Sequence, residues 1–209
     1  MINKAKGFVN GLICRNAGKN NSFEDRVSSH FLFNSLNSVI SLCRKDPEAA
    51  AALVGEISTY LQRSLADRAF LLSLDEELEH VLAYINIQKV RFSDRLRIVL
   101  DIGDNIQCSI PALTLQPIVD NAINHGVLKR KTGGTVSVSI RKLPYSVQIT
   151  VSDDGVGMTG EQVGLLFKRS NKEHSLYKIN HVLQTAGIKG LQIKSVLNEG
   201  TTVMIEIPS

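Results

Sequence analysis

The sequence predicts an α+β protein: a helical hairpin forming a dimeric four-helix bundle, followed by an α/β sandwich with a mixed, largely antiparallel sheet and helices on one face. Apolar residues repeat at helical spacing early in the chain and switch to strand-like alternation after Arg95. The 209 residues, 43% hydrophobic and 21% charged, suffice for two compact units.

Residues 1–21 are rich in Gly, Asn and Lys without a period and read as a poorly ordered lead-in. From Phe23 to Arg44 the pattern is helical, with Leu32, Leu36, Val39 and Cys43 forming an apolar seam. Asp46-Pro47-Glu48 combines an N-cap residue, a first-turn proline and an early acid. A second helix therefore runs from Ala49 to Arg68, with Val54, Ile57, Leu61 and Leu65 as its seam. One hairpin cannot cover both seams, so residues 22–70 are expected to pair with a second copy as a four-helix bundle, making a homodimer.

Residues 71–94 form a connecting helix through Leu78, Val81, Leu82 and Ile85, and residues 95–209 a second unit. There Leu96–Ile102 alternates like a strand, and a helix runs from Pro111 to Gly126. Val136, Val138 and Ile140 then face Val147, Ile149 and Val151 across a Pro144 turn as antiparallel neighbours. Leu176–Ala186 reads as a helix stopped at Gly187, and Asn198-Glu199-Gly200 turns the last hairpin, Leu191–Leu197 with Thr202–Ile207.

The net charge of +4 is spread along the chain, which argues against a nucleic-acid partner. Cys14, Cys43 and Cys108 are odd in number and form no CxxC, which suits a reducing compartment. With no apolar run near the roughly 20 residues of a membrane helix, a membrane sensor is expected only outside this sequence.

Four patterns carry chemistry. In His30-Phe31-Leu32-Phe33-Asn34, helical spacing puts His30, Asn34, Asn37 and Ser41 on one solvent-facing stripe. An exposed imidazole with a free ring nitrogen can attack an electrophile such as a γ-phosphate, although a lone surface histidine is more often only polar. In Gln116-Pro117-Ile118-Val119-Asp120-Asn121-Ala122-Ile123-Asn124-His125-Gly126, Asn121 shares a face with Asn124 and His125. An asparagine oxygen suits phosphate-bound Mg²⁺; the plain alternative is a polar face in water. Asp153-Asp154-Gly155-Val156-Gly157 follows a strand, so a carboxylate there could accept from an exocyclic amine beside a closely approaching backbone, or simply turn the chain. Thr201 opens the last strand, where its hydroxyl could support that carboxylate.

In this order and spacing the four patterns resemble the LytS-like family of bacterial sensor histidine kinases, over roughly His30 to Pro208. The resemblance implies a two-component signalling enzyme using ATP and Mg²⁺. His30 matches the phosphoacceptor, and Asn34 is taken to orient its ring or the incoming phosphate. The segment from about Arg95 matches the ATP-binding domain shared by gyrase, heat-shock chaperones and these kinases. Within it Asn121 matches the Mg²⁺-binding asparagine, with Asn124 and His125 beside it; Asp153 matches the adenine-reading aspartate, Gly155 and Gly157 the loop glycines, and Thr201 the threonine beside the adenine. The implied partner is the receiver domain of a response regulator, and the implied location is the cytoplasmic portion of a membrane-bound sensor.

The chain departs from the family pattern in two places. Arg26-Val27-Ser28-Ser29 precedes the histidine where the family has Gln-Ile-x-Pro. Glu173-His174-Ser175-Leu176-Tyr177-Lys178 stands where a Gly-x-Gly-Leu-x-Asn lid opens a helix, so Glu173 could repel a triphosphate. The alternative reading is therefore a pseudokinase or docking and phosphotransfer module with impaired ATP binding. A gyrase-like ATPase is disfavoured, because Pro117 stands where those enzymes resemble one another in a water-activating glutamate.

Overall fold

The computed structural model describes residues 29–66, 69–168 and 171–208. The lead-in, Cys14, the first helix before Ser29 and Arg68 lie outside the described residues.

Helix α1, Ser29–Leu42, and helix α2, Pro47–Leu65, form the hairpin. The Asp46 side chain accepts from Ala49 N at 3.0 Å, an N-cap that contributes about 1 kcal/mol. Strand β1, Leu71–Ser73, leads into helix α3, Leu74–Arg91, where Ser73 and Glu76 close a capping box. Then come β2, Leu96–Ile102, β3, Ser109–Pro111, and helix α4, Leu115–Asn121. Strands β4, Gly134–Lys142, and β5, Ser146–Asp153, are followed by helices α5, Gly160–Leu166, and α6, Ser175–Thr185, and by strands β6, Gln192–Val196, and β7, Gly200–Pro208.

The main sheet has five strands in the order β2-β4-β5-β7-β6; β2 runs parallel to β4 and every other pair is antiparallel. Val136, Val138 and Ile140, Val147, Ile149 and Val151, and Val203, Ile205 and Ile207 bury one face, as period-two alternation requires, in one core with Ile123 and Val127 of the turns that follow α4 and with Ile118, Leu176 and Leu183. Strands β1 and β3 pair separately, Leu71 opposite Pro111, and tie the end of the hairpin to the start of α4.

Differences from the sequence reading have physical causes. In the hairpin the intrachain core takes Phe31 and Ser35 from α1 and Leu53, Ile57, Tyr60 and Ser64 from α2, while Leu36, Cys43, Val54 and Leu65 stay exposed. Helical period fixes a stripe, not which neighbour covers it, and here α3 covers the adjoining one. The expected helix to Gly126 is α-helical only to Asn121, then takes a π turn over Ala122–Gly126 and a 3-10 turn over Val127–Lys129. Helix α5 has too little apolar periodicity to be read from sequence, and three-residue strands such as β1 and β3 lie below that signal.

Candidate functional site

Register brings the distant motifs together. Asp153 ends β5 directly opposite Thr201 of β7 and Val136 of β4. The π turn that ends α4 places Gly126 against the Asp153 carboxylate: a Cβ on Gly126 would lie 2.5 Å from Asp153 Oδ1. A Cβ on Gly155 would lie 2.1 Å from the Gly126 carbonyl carbon, so only glycine lets these two backbones touch. Gly157 holds φ at +61° and leads the chain on to Met158.

The result is a cavity of about 290 Å³ lined by Asn121, His125, Gly126, Lys129, Asp153, Val156, Gly157, Met158, Gln162, His174 and Thr201. It lies near the lower end of ligand pockets, which run from about 300 to 1,000 Å³. In its wall Asp153 Oδ1 accepts from Gly155 N at 2.9 Å. Burial raises the Asp153 pKa to about 6, against the lowering pull of its backbone hydrogen bonds to Gly155 and Thr201. Asp154 faces away and accepts from Thr135 N at 2.6 Å, so the two adjacent carboxylates divide into one at the cavity and one pinning β4.

Thr201 is held by a residue the sequence did not single out. Ser195 Oγ accepts from Met158 N at 2.8 Å, donates to Gly200 O at 2.9 Å and lies 2.9 Å from Thr201 Oγ1. With the Ser195 proton committed to Gly200, Thr201 is the donor in that pair. No local pattern marks Ser195; it is found only through the β6–β7 register, where it stands opposite Thr201.

Asn121, only 8% exposed, lines the same cavity with His125, Lys129 and His174. Asn124, expected on the same face, does not line the cavity; its amide donates to Asp120 at 2.7 Å. The π turn is wider than an α turn, so position i+4 stays aligned with Asn121 while i+3 rotates away.

In the lid, His174 caps α6 by accepting from Leu176 N at 3.2 Å, and burial together with nearby His125 lowers its pKa. Glu173 is not in the cavity lining and pairs with Lys178 at 2.8 Å, which lowers its pKa. The lid thus presents the imidazole of His174, and not the carboxylate of Glu173, to the cavity.

This donor set fits an adenine nucleotide. The carboxylate faces a place reached by a glycine backbone, where an exocyclic amine can donate, and the same cavity gathers a buried amide oxygen, an ammonium and two imidazoles suited to metal-bound phosphates.

His30 lies outside this cavity, on the exposed face of α1. The Asn34 amide nitrogen is 3.0 Å from its Nε2 and 3.3 Å from its Nδ1, so Asn34 is in place to hold the ring. Behind it Phe31 is buried against α2 and α3. The two faces flanking His30 are therefore this buried one and an exposed apolar one bearing Phe33 (69% exposed), Leu36 and Ile40 (68%).

Residues 19–96 match the family described as Histidine kinase, and residues 111–209 the Histidine kinase-, DNA gyrase B-, and HSP90-like ATPase family. A Bacillus subtilis (strain 168) protein called Putative uncharacterized protein YwpD is 35% identical over 188 residues, covering 88% of this chain and 68% of that one. Sensor protein LytS of Bacillus cereus is 34% identical over 198 residues, and Sensor histidine kinase YpdA of Escherichia coli (strain K12) is 31% identical over 202. The chain spans 33% of LytS and 34% of YpdA.

Among solved structures, the catalytic domain of histidine kinase ThkA superposes with a TM-score of 0.52 at 17% identity, covering 66% of this chain and 93% of that one. Histidine kinase AdeS of Acinetobacter baumannii superposes with a TM-score of 0.50 at 17% identity, covering 99% and 94%. At those identities they share the fold. The chain belongs to the LytS-like family of sensor histidine kinases and carries that family's ATP-binding fold.

Proposed function

We propose that the chain is an ATP-dependent protein-histidine kinase that phosphorylates His30 from Mg-ATP and passes the phosphoryl group to an aspartate on the receiver domain of a response regulator. The observation that carries this reading is the convergence of Asn121, His125, Asp153 and Thr201, from three separate motifs, on one cavity, with the exposed His30 on a hairpin packed by way of α3 against α4.

Asp153 accepts the adenine amine, with Thr201 beside it and Gly155 and Gly157 permitting the approach. Asn121 offers its amide oxygen to Mg²⁺, while His125, Lys129 and His174 face the phosphates. Mg²⁺, when bound, offsets phosphate charge. An unprotonated ring nitrogen of His30 forms the new N–P bond as the bond from the γ-phosphorus to the β–γ bridging oxygen breaks, and ADP leaves with that oxygen. Asn34 holds the ring, so the protein acts mainly by positioning.

The same reading takes residues 22–70 as the dimerisation and phosphotransfer unit, residues 71–94 as a connecting helix and residues 95–209 as the catalytic unit. Phe33, Leu36 and Ile40 on α1, with Val54 and Leu65 on α2, are the exposed apolar surface that a second hairpin would cover in a homodimer.

A second reading, a pseudokinase or docking module with impaired ATP binding, draws on the small cavity and on Glu173 and Ser175 standing where the family has the lid glycines. Incubation with Mg²⁺ and γ-labelled ATP beside His30→Gln separates the two. Acid-labile label that vanishes in the variant supports the kinase; absence of both label and nucleotide binding by calorimetry supports the second reading.

A further inference from the structure

The hairpin and α4 meet through side chains that the chemistry above does not use. Phe31, the neighbour of His30, packs on two tyrosines, its ring centroid 5.0 Å from that of Tyr60 and 5.3 Å from that of Tyr84. Each tyrosine then reaches α4 through its hydroxyl. Tyr84 donates to the carboxylate of Asp120, the residue before Asn121. Tyr60 accepts a 2.9 Å hydrogen bond from the Gln116 amide, whose oxygen lies 2.8 Å from His80 Nε2.

The junction is enclosed. Tyr60 and Tyr84 are 2% and 1% exposed, and the Tyr60 ring stacks on His80 at 5.1 Å. Gln88 also donates to the Tyr84 hydroxyl, and Asn124, turned out of the cavity, lies 3.4 Å from it, so this oxygen is fixed from three sides. The Arg91 guanidinium lies 5.7 Å from the Phe31 ring centroid.

Phenylalanine at both tyrosine positions would fill nearly the same space without burying a hydroxyl. What the hydroxyls add is direction: apolar packing alone leaves two helices free to slide by fractions of an ångström, whereas hydrogen bonds to Asp120 and Gln116 set one register. Phosphoryl transfer is sensitive on that scale, since a misplacement of about 1 Å costs about 100-fold in rate.

We propose that Tyr84 and Tyr60 are positioning residues for histidine phosphorylation: through Phe31 on one side, and Asp120 and Gln116 on the other, they hold the His30 helix in register with the helix that carries Asn121. This rests on the kinase reading above. The residues touch neither nucleotide nor the reacting atoms, so their effect falls on the transfer step and not on nucleotide affinity.

The test compares Tyr84→Phe and Tyr60→Phe with the unaltered chain, measuring Mg-ATP affinity by calorimetry and the initial rate of label incorporation at saturating Mg-ATP. The expected result is a fall in rate of about tenfold or more with affinity kept within about twofold. Asp120→Asn, which keeps an acceptor oxygen, retains more of the rate than Asp120→Ala. A rate unchanged in both tyrosine variants overturns the proposal, as does a parallel loss of rate and affinity, which marks a structural role, or a rise in rate, which marks a restraint. If Tyr84→Phe no longer melts cooperatively, Tyr60→Phe decides by the same criteria. An unaltered chain that binds Mg-ATP and takes no label removes the kinase reading and this inference together; a labelled chain with indifferent variants removes this inference alone.

Discussion

The sheet end of the cavity and its lid are held by opposite means. At the sheet end, backbones touch: a Cβ on Gly155 would meet the Gly126 backbone at 2.1 Å, and one on Gly200 would meet Asp153 O at 1.9 Å. In helix α5, which precedes the lid in the chain, an added Cβ on Gly160 or Gly164 would find nothing within 4 Å. The sheet end has no room for another atom, whereas the stretch from α5 to the start of α6 is open and held at its margins by local caps, Thr159 with Gln162 and His174 with Leu176. Steric constraint therefore belongs to the sheet end, and the loss of the lid glycines at Glu173 and Ser175 falls outside it.

Paired glycine substitutions test this contrast most strongly. Gly155→Ala forces the β5 and α4 termini apart, with an expected loss of about 3 kcal/mol in denaturant unfolding and no measurable nucleotide binding. Gly164→Ala, in an exposed helical turn, raises stability by about 0.5–1 kcal/mol and leaves affinity unchanged. Similar effects at the two positions would break the comparison.

Asp153 offers the next largest effect and a pH signature. Its pKa of about 6 in the folded chain lies above the ordinary aspartate value of about 3.9, so folding favours its protonated form. The stability this supplies is fully present below about pH 4 and is lost as the pH rises to about 6. Asp153→Asn should therefore melt higher than the unaltered chain at pH 7, with the gap closing toward pH 4. Nucleotide affinity follows the opposite sense, because the ionised carboxylate is the better acceptor for the adenine amine: it falls as the pH drops through about 6, and Asp153→Asn removes that part of the slope. Calorimetric titrations of both proteins from pH 5 to 7.5 check this, and parallel slopes would move the titration to another group, with His174 in the same cavity the first to examine.

How much of this was legible before the fold differs along the same divide. Asp153 and Thr201 were readable because each sits at a strand end, and Gly155 and Gly157 because turn residues follow Asp153 directly; antiparallel register then brings Asp153 opposite Thr201. Phe31, Tyr60, Tyr84, Gln116 and Asp120 were not readable as one junction, because the hydrogen bonds that join them cross 36 and 56 residues and periodicity carries no distance information of that kind. Asn124 was misplaced for a third reason. A π turn changes which residues share a face, and no side-chain pattern in Ala122–Gly126 announces it.

The smallest expected effect concerns the residue that raised the strongest objection from sequence. A carboxylate at the start of a helix that should receive phosphates is repulsive if it points at them. Glu173 instead lies in open solvent outside the cavity lining, and the Lys178 ammonium 2.8 Å away accounts for the fall in its pKa. An exposed pair of this kind adds little to stability, and solvent and salt screen what field reaches the cavity within about 10 Å at 0.1 M ionic strength. Glu173→Ala should therefore change Mg-ATP affinity by less than about twofold at that ionic strength, with a somewhat larger gain in dilute buffer where screening relaxes. His174→Gly, which removes the imidazole that does line the cavity, should change affinity more than Glu173→Ala in calorimetry under identical conditions. The reverse order would return the lid's electrostatics to Glu173 and with it the case for a weakened kinase.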